Sequence, residues 1–521
     1  MRFLQFMIVS FAVFTTALFG SCTSKEGSGE DPESPTTSSY KVRVKVSTGE
    51  YTRAGDDAAV NTLHLAFYNG EECLGIVEAT KDNDAYVCEI PAEYGKPDGV
   101  IAFANLPAGD LPTKDNVMTK TYSNFGNGDN MIMSSARYFD ASGNDKLKTP
   151  LTTMNFIEGG DAVSIALDRL AAKVTVNKNN SQELGAVSLV RGDGQGSMSL
   201  NLKKLKWEIM GTEKVSYLIK SFGDTEYTAL SNIFKNWSNW NVPGNEISHW
   251  AHSATWSSSL EGYPTGYSQA IDNDLAYPMI SGIENAFGVS KYYHETTRPQ
   301  DVYQINNALA SVIIIGQYDV GNLVSTTFYI DDEQKLYLDA DLKKKFLEKQ
   351  TFLYFNGKPV TTDDSNDFQL VHLDDVSNVP ANYVTLQFTE TAQLKNRFFD
   401  AKGVSYEELD KDKLNKALAT ECGYYEKFDK GKCYFIFPIK NVTSETLSET
   451  ETGKFGLVRN HQYNITINSI NGLGTGLVDS QSFIPLRYTY SGQSSSAYKV
   501  NANVSVNEWH DVNQTVDIPK N

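Results

Sequence analysis

Along residues 498–507 every second side chain is apolar: Tyr498, Val500, Ala502, Val504 and Val506 alternate with Lys499, Asn501, Asn503, Ser505 and Asn507. A repeat of two marks a strand that buries one face. Glu508 interrupts the repeat, Trp509 takes the opposite parity, and Val512, Val516 and Ile518 return to the first. The spacing predicts two short strand segments joined by a bulge or bend. Chain ends are ordinarily the least committed part of a fold. Nine apolar side chains on such a tail therefore need a groove, in the tail's own sheet or in another molecule.

A stretch with the same parity lies near the other end. Tyr40, Val42, Val44 and Val46 alternate with Lys41, Arg43 and Lys45. The residues that follow, STGEYTRAGDD at 47–57, read as an exposed loop, with Gly49, Gly55, Asp56 and Asp57 as its turn formers and Arg53 within it. An exposed arginine in such a loop suits an Arg-specific protease, while a loop with an ordinary surface arginine is the plainer reading of the local residues.

The 521 residues are 40% hydrophobic and 21% charged, which fits a globular protein of two or more domains. With 28 Tyr, 26 Phe and few long helical patterns, an all-β chain with small helices is expected. A net charge of −18 and a pI near 4.9 argue against a nucleic-acid backbone as partner.

Residues 1–22 read as an export signal: Arg2, an apolar run from Phe3 to Phe19, then Gly20, Ser21 and Cys22. The run is short for a membrane span. Small residues ending at a cysteine are similar to a bacterial lipoprotein signal, with Cys22 as the lipidated residue. Residues 23–39, TSKEGSGEDPESPTTSS, form a polar tether that can bury little. The other cysteines, Cys73, Cys88, Cys422 and Cys433, are read as free buried thiols rather than disulfides. With no CxxC or Cys/His spacing, no metal or cofactor is expected.

From Leu63 onward, β-like runs recur at intervals of about ten residues, as in a sandwich: LHLAFYNG, CLGIVEA, AYVCEI and GVIAFANLP. Residues 108–150 read as loops with one short helix. The run VSIALDRLAAKVTV at 163–176 precedes a domain boundary placed near residue 185, and a second domain is expected over 186–521. Within it, about 210–300 reads as an aromatic-rich insertion of loops and short helices. Strands return at ASVIIIGQY, STTFYI, YVTLQF, KCYFIFPIKN and HQYNITINSI, with a helix at DADLKKKFLEKQT.

No arrangement for catalysis stands out. HExxH, GxSxG and a phosphate-binding loop are missing, and RGDGQG at 191–196 lacks the spacing and following helix of a dinucleotide site. His249 and His252 lack a third metal ligand and read as loop histidines. Arg191, Gly192 and Asp193 spell a tripeptide that some host receptors read, but they are good hairpin-turn residues. Trp237, Trp240, Trp250 and Trp256 could stack on sugars or a partner, and packing within the insertion is the plainer use. The chain is not read as an enzyme.

At KCYFIFPIKN (432–441), and above all at FGLVRNHQYNITINSINGLGTG (455–476), the sequence resembles the fimbrilins of type V pili, closest to the major shaft subunit of the short fimbriae of anaerobic Gram-negative bacteria. TRAG at 52–55, FANLP at 103–107, DRLAAKVTV at 168–176 and the tail VSVNEWHDVNQTVDI extend the resemblance, while 210–300 carries no matching motif. It implies two tandem Greek-key-like, transthyretin-like β-sandwich domains with C-terminal donor strands. It also implies a pathway. Signal peptide 1–21 is removed, Cys22 is lipidated, and a propeptide over 22–53 carries a leader strand through Tyr40, Val42, Val44 and Val46. An Arg-specific protease cuts between Arg53 and Ala54, leaving domains 54–185 and 186–521. The tail from Tyr498 to Ile518 then serves as donor strand to another copy. Implied partners are further copies in a head-to-tail polymer, accessory fimbrial subunits, and host or bacterial surface receptors, with the outer membrane touched only through the precursor lipid. Two other readings stay open: an accessory or tip adhesin of the same fimbria, and a surface glycan-binding lipoprotein that stacks sugars on Trp237 and Trp240.

Overall fold

The computed structural model describes residues 40–47, 59–137, 144–157, 160–179, 184–222, 251–255, 275–297, 309–372, 382–440, 455–479 and 499–508. The first seven principal strands are β1 (Tyr40–Ser47), β2 (Leu63–Asn69), β3 (Glu72–Asp82), β4 (Ala85–Ile90), β5 (Gly99–Ala104), β6 (Met133–Ser135) and β7 (Val163–Arg169). They hydrogen-bond in the order β2-β3-β4-β1-β7-β6-β5, and β5 pairs again with β2, so the sheet closes into a seven-stranded ring. A sandwich was expected here. Closure arises because β2 pairs along its length with both β3 and β5, which removes the free edges of an open sheet.

The alternating apolar positions fill the ring. Val42, Val44, Leu65, Phe67, Val100, Ala102, Ile165 and Leu167 share one buried cluster. The runs LHLAFY and GVIAFA are buried at consecutive positions, His64 included, because their outer face is covered too. Ala66, Tyr68, Ile101 and Phe103 pack outside the ring against Leu218 and Ile219.

A single residue, Leu170, separates β7 from β8 (Ala171–Lys178), which belongs to a different sheet. The strands that follow are β9 (Val187–Val190), β10 (Ser197–Met210), β11 (Ser290–His294), β12 (Ser311–Val320), β13 (Lys432–Pro438), β14 (His461–Asn471), β15 (Thr475–Gly476) and β16 (Lys499–Glu508). They form a four-stranded sheet, β11-β8-β14-β16, and a five-stranded sheet, β9-β10-β12-β13-β15. The two share one core, in which Val174, Val176, Tyr463 and Ile465 join Trp207, Ile314 and Phe435. Trp207 is fully buried and satisfies its indole N–H on the Ala286 carbonyl at 2.9 Å.

Between β12 and β13 the chain builds a third unit. A five-stranded sheet there carries helices α1 (Asp339–Lys349) and α2 (Lys411–Cys422). Leu342, Phe346, Leu386, Leu414 and Leu418 form its core. Helix α1 matches the expected helix, and α2 is an addition. Its apolar stripe is narrow, with Leu414, Leu418 and Cys422 spaced four apart on an otherwise polar segment, and Gly423 at φ 78° ends it. Over 108–137, where a short helix was expected, the described residues form 3-10 turns and strands of two or three residues. The described part of 275–297 contributes β11 to the four-stranded sheet.

The ring meets the second core across buried charge. Lys220 reaches Asp168 at 2.5 Å, and Asn460 donates to Asp168 at 3.1 Å while accepting from Arg169 at 3.1 Å. Arg459 pairs with Glu295 at 2.9 Å, both side chains being 1% exposed. The guanidinium also donates to the Leu218 carbonyl at 3.4 Å, which ties the segment packed outside the ring to the second core. Removing one partner strands the other as a buried charge. Glu295→Ala is expected to destabilise the protein by about 3–5 kcal/mol. Urea unfolding checks this, and a change below about 1 kcal/mol would show that the pair carries no structural weight.

Candidate functional site

Strand β1 completes the ring, and it is held there in two directions. It runs antiparallel to β4, with Tyr40 opposite Ile90, Val42 opposite Cys88 and Val44 opposite Tyr86. It runs parallel to β7, with Val44 opposite Val163 and Val46 opposite Ile165. The inward side chains behave as their parity predicts. Val42 and Val44 are fully buried, while Tyr40 and Val46 are half-buried against the same cluster. Burying two valines contributes about 1.5–3 kcal/mol each, an upper estimate. Tyr40 meets Phe156 edge-on at 5.6 Å between ring centroids, and the Lys96 ammonium lies 5.2 Å from the centre of the Tyr40 ring.

The outward side chains are cationic and face an acidic turn. Lys45 reaches Asp84 at 2.6 Å, and Arg43 lies 3.9 Å from Asp82 and 4.0 Å from Asp84. The Lys45 ammonium holds the Asp84 carboxyl below the usual carboxylate range. These side chains are 42–67% exposed, so the pairs add little to stability. What anchors β1 is its inward face and its two ladders.

Beneath β1 the floor of the site is apolar and chemically quiet. Burial pushes the Cys88 thiol up to about 12, and Tyr86 is likewise raised by burial. The Tyr86 hydroxyl donates to the Val60 carbonyl at 2.6 Å. No group of three His, Cys, Asp or Glu side chains among the described residues could hold a metal. Cys73, Cys88, Cys422 and Cys433 are all free and buried, as expected.

The chain re-enters the ring at a separate anchor. Asn105, in the FANLP stretch, sits at φ 60° and turns its side chain onto residues 59–62. Its Oδ1 accepts from the Asn61 amide at 2.8 Å and the Thr62 amide at 3.3 Å. Its Nδ2 donates to the Ala59 carbonyl at 2.8 Å and to the Met131 carbonyl at 2.9 Å. The segment entering β2 is thus fixed independently of β1. A break anywhere in 48–58 separates β1 from a ring whose other strands keep their own attachments.

The tail occupies a second place in the structure. β16 lies antiparallel to β14, with Val500 opposite Ile470, Ala502 opposite Ile467, Val504 opposite Ile465 and Val506 opposite Tyr463. Among the described residues it is the edge strand of its sheet and pairs on one side only. The strand is described from Lys499 to Glu508. Cys22, Arg53, Ala54, Tyr498, Trp509, Val512, Val516 and Ile518 lie outside the described residues, as do His249, Trp237, Trp240, Trp250 and Trp256.

The Arg191–Asp193 turn is occupied internally. The Arg191 guanidinium pairs with Asp193 and lies 3.5 Å from Asp341 on α1. A Cβ on Gly192 would fall 1.9 Å from the Tyr337 ring, so only glycine fits there. These are the contacts of a structural hairpin turn.

Residues 426–515 match the family described as major fimbrial subunit protein type IV, fimbrillin, C-terminal. Its C-terminal residues thus carry the fimbrillin C-terminal domain. The matched region holds β13, β14, β15 and β16, including the tail strand in its place against β14. The family is structural and non-enzymatic, and supplies subunits of fimbriae. Among solved structures, similarity is found to a fimbrilin from Porphyromonas gingivalis W83, at 14% identity and a TM-score of 0.37, over 92% of this chain and 100% of that one. A fimbrial assembly protein from Parabacteroides distasonis is similar at 13% identity and a TM-score of 0.24, over 70% and 98%. The tip fimbrial protein Mfa3 from Porphyromonas gingivalis, C-terminally truncated, is similar at 12% identity and a TM-score of 0.28, over 91% and 100%. No curated protein sequence matches the chain. The assignment rests on the sequence of 426–515.

Asn105→Ala removes the anchor of residues 59–62 and puts a Cβ-bearing residue without a local amide partner at positive φ. A loss of about 2–3 kcal/mol is expected. Hydrogen exchange should accelerate at Asn61 and Thr62 while β12 and β13 keep their protection. Unchanged exchange at both residues would contradict the assigned role.

Proposed function

We propose that this fimbrillin is the shaft subunit of a surface fimbria and polymerises by exchanging one strand for another in the ring. It is exported through 1–21 and lipidated at Cys22. An Arg-specific protease then cuts it between Arg53 and Ala54, which frees β1 as a leader strand. The groove that β1 leaves between β4 and β7 receives the donor segment from Tyr498 to Ile518 of another copy. The ring and the paired sheets act as the N-terminal and C-terminal units of a two-unit, transthyretin-like pilin. Accessory subunits would join through the same exchange, and adhesion to host or bacterial surfaces follows from display on the fibre.

The observation that carries this reading is the position of β1: it is an interior member of a closed ring, yet one undescribed stretch, 48–58, is all that connects it to an independently anchored β2. While that connection is intact, β1 competes for its groove at an effective concentration that no separate molecule matches. Cutting it makes the competition bimolecular on both sides. The leader strand brings four apolar side chains and the tail nine. At about 1.5–3 kcal/mol for each large side chain well buried, the longer strand is favoured, less roughly 1–2 kcal/mol per residue ordered. Leaving its own sheet costs the tail a single ladder, because β16 is an edge strand. Each copy offers a groove at one place and a strand at another, so the contact is heterologous and the assembly open, as a filament requires.

Two variants test the scheme. Arg53→Ala should leave unprocessed monomer, and removal of 498–521 should leave processed monomer. Normal fibres from either would contradict it. Antibody against this chain should decorate fibres along their length, whereas decoration confined to fibre ends would assign it to the tip.

A further inference from the structure

The first strand and the tail share more than parity. Residues 40–47 read YKVRVKVS and residues 498–505 read YKVNANVS, identical at five of eight positions and apolar at the same four. We propose that the tail of one copy enters the groove of the next in the same direction and register as β1, with Tyr498 in the place of Tyr40 and Val500 in the place of Val42. This rests on the exchange reading above and specifies which residues of the second copy meet which side chains of the groove.

The groove itself selects this register. A tail slipped by two residues would still present apolar side chains inward, with Val500, Ala502, Val504 and Val506 at the four inward sites. It would leave the Tyr40 site to a valine, however, and that site is built for an aromatic ring. Phe156 stands edge-on to it and the Lys96 ammonium lies over its face. In the unslipped register Tyr498 keeps both contacts.

The three substitutions between the two strands have a direction. Ala502 replaces Val44, which is fully buried, so the tail fills that part of the floor less well. Asn501 and Asn503 replace Arg43 and Lys45, which face Asp82 and Asp84, so the incoming strand carries none of the resident strand's charge pairing there. Over the shared eight positions β1 is therefore the better occupant. The tail is a weaker copy of the strand it replaces. It gains only when β1 has lost its tether and when residues beyond 505 add their own contacts. Premature exchange is disfavoured by sequence as well as by connectivity.

The register places a native thiol where it can report. Val42 is opposite Cys88 in the antiparallel pair, and both face the ring interior. Opposed residues in such pairs lie within disulfide range. Fibres carrying Val500→Cys should form a ladder of intermolecular disulfides with Cys88 under copper–phenanthroline. The ladder should resolve on non-reducing gels and vanish in the Val500→Cys/Cys88→Ser double variant. Val42→Cys in the unprocessed chain sets the oxidant dose at which an intrachain bridge to Cys88 closes. Ala502→Cys and Val504→Cys fibres should give no ladder at that dose. A ladder from either of those, or none from Val500→Cys, overturns the register while leaving exchange intact. Fibres that assemble without 498–521 would instead overturn the exchange reading beneath it.

Discussion

The structure depends on the pairing of β1 between β4 and β7. The other six strands of the ring, β2 to β7, follow one another along the rest of the chain. β1 is the member that closes the circle from outside that continuity, by an antiparallel ladder on one side and a parallel one on the other. Without it the ring becomes an open sheet with two unpaired edges above an apolar floor. Such an edge pairs with the next extended segment that offers the right alternation. In the exchange scheme proposed above, that edge is the concealed binding site.

The second half of the molecule presents the complement. β16 is a ten-residue strand at the margin of its sheet, with β14 as its one neighbour among the described residues. Among the described residues, β1 is thus held on two sides and β16 on one. The buried charges at Asp168, Lys220, Glu295 and Arg459 join the two halves where β7 passes into β8. A groove wall and the sheet that carries the tail are in this way parts of one continuous run of backbone.

Much of this was legible in the residues. The alternation at 40–46 and 498–507 predicts both strands, and the described residues 40–47 and 499–508 are strands. The four interior cysteines read correctly as free thiols, because nothing in their spacing opposes them. Ring closure was not legible, since the β2 to β5 pairing joins strands whose apolar runs fit a buried sandwich strand equally well. Helix α2 escaped because a stripe of Leu414, Leu418 and Cys422 is too narrow to stand out among lysines and acids. The role of Asn105 could have been suspected from an asparagine ending a strand before Leu-Pro, a place that favours positive φ. Its partners at 59–62 are more than forty residues away and appear only in the fold. The same holds for Glu295 and Arg459, which look like surface residues until the fold brings together positions 164 apart in sequence.

The exchange scheme stands on β1 being a temporary occupant of the ring. The most direct measurement is the N-terminal sequence of the subunit recovered from assembled fibres. Ala54 should be the first residue, with 40–47 gone. Fibre subunits beginning at Cys22, with β1 still covalently attached, would contradict it.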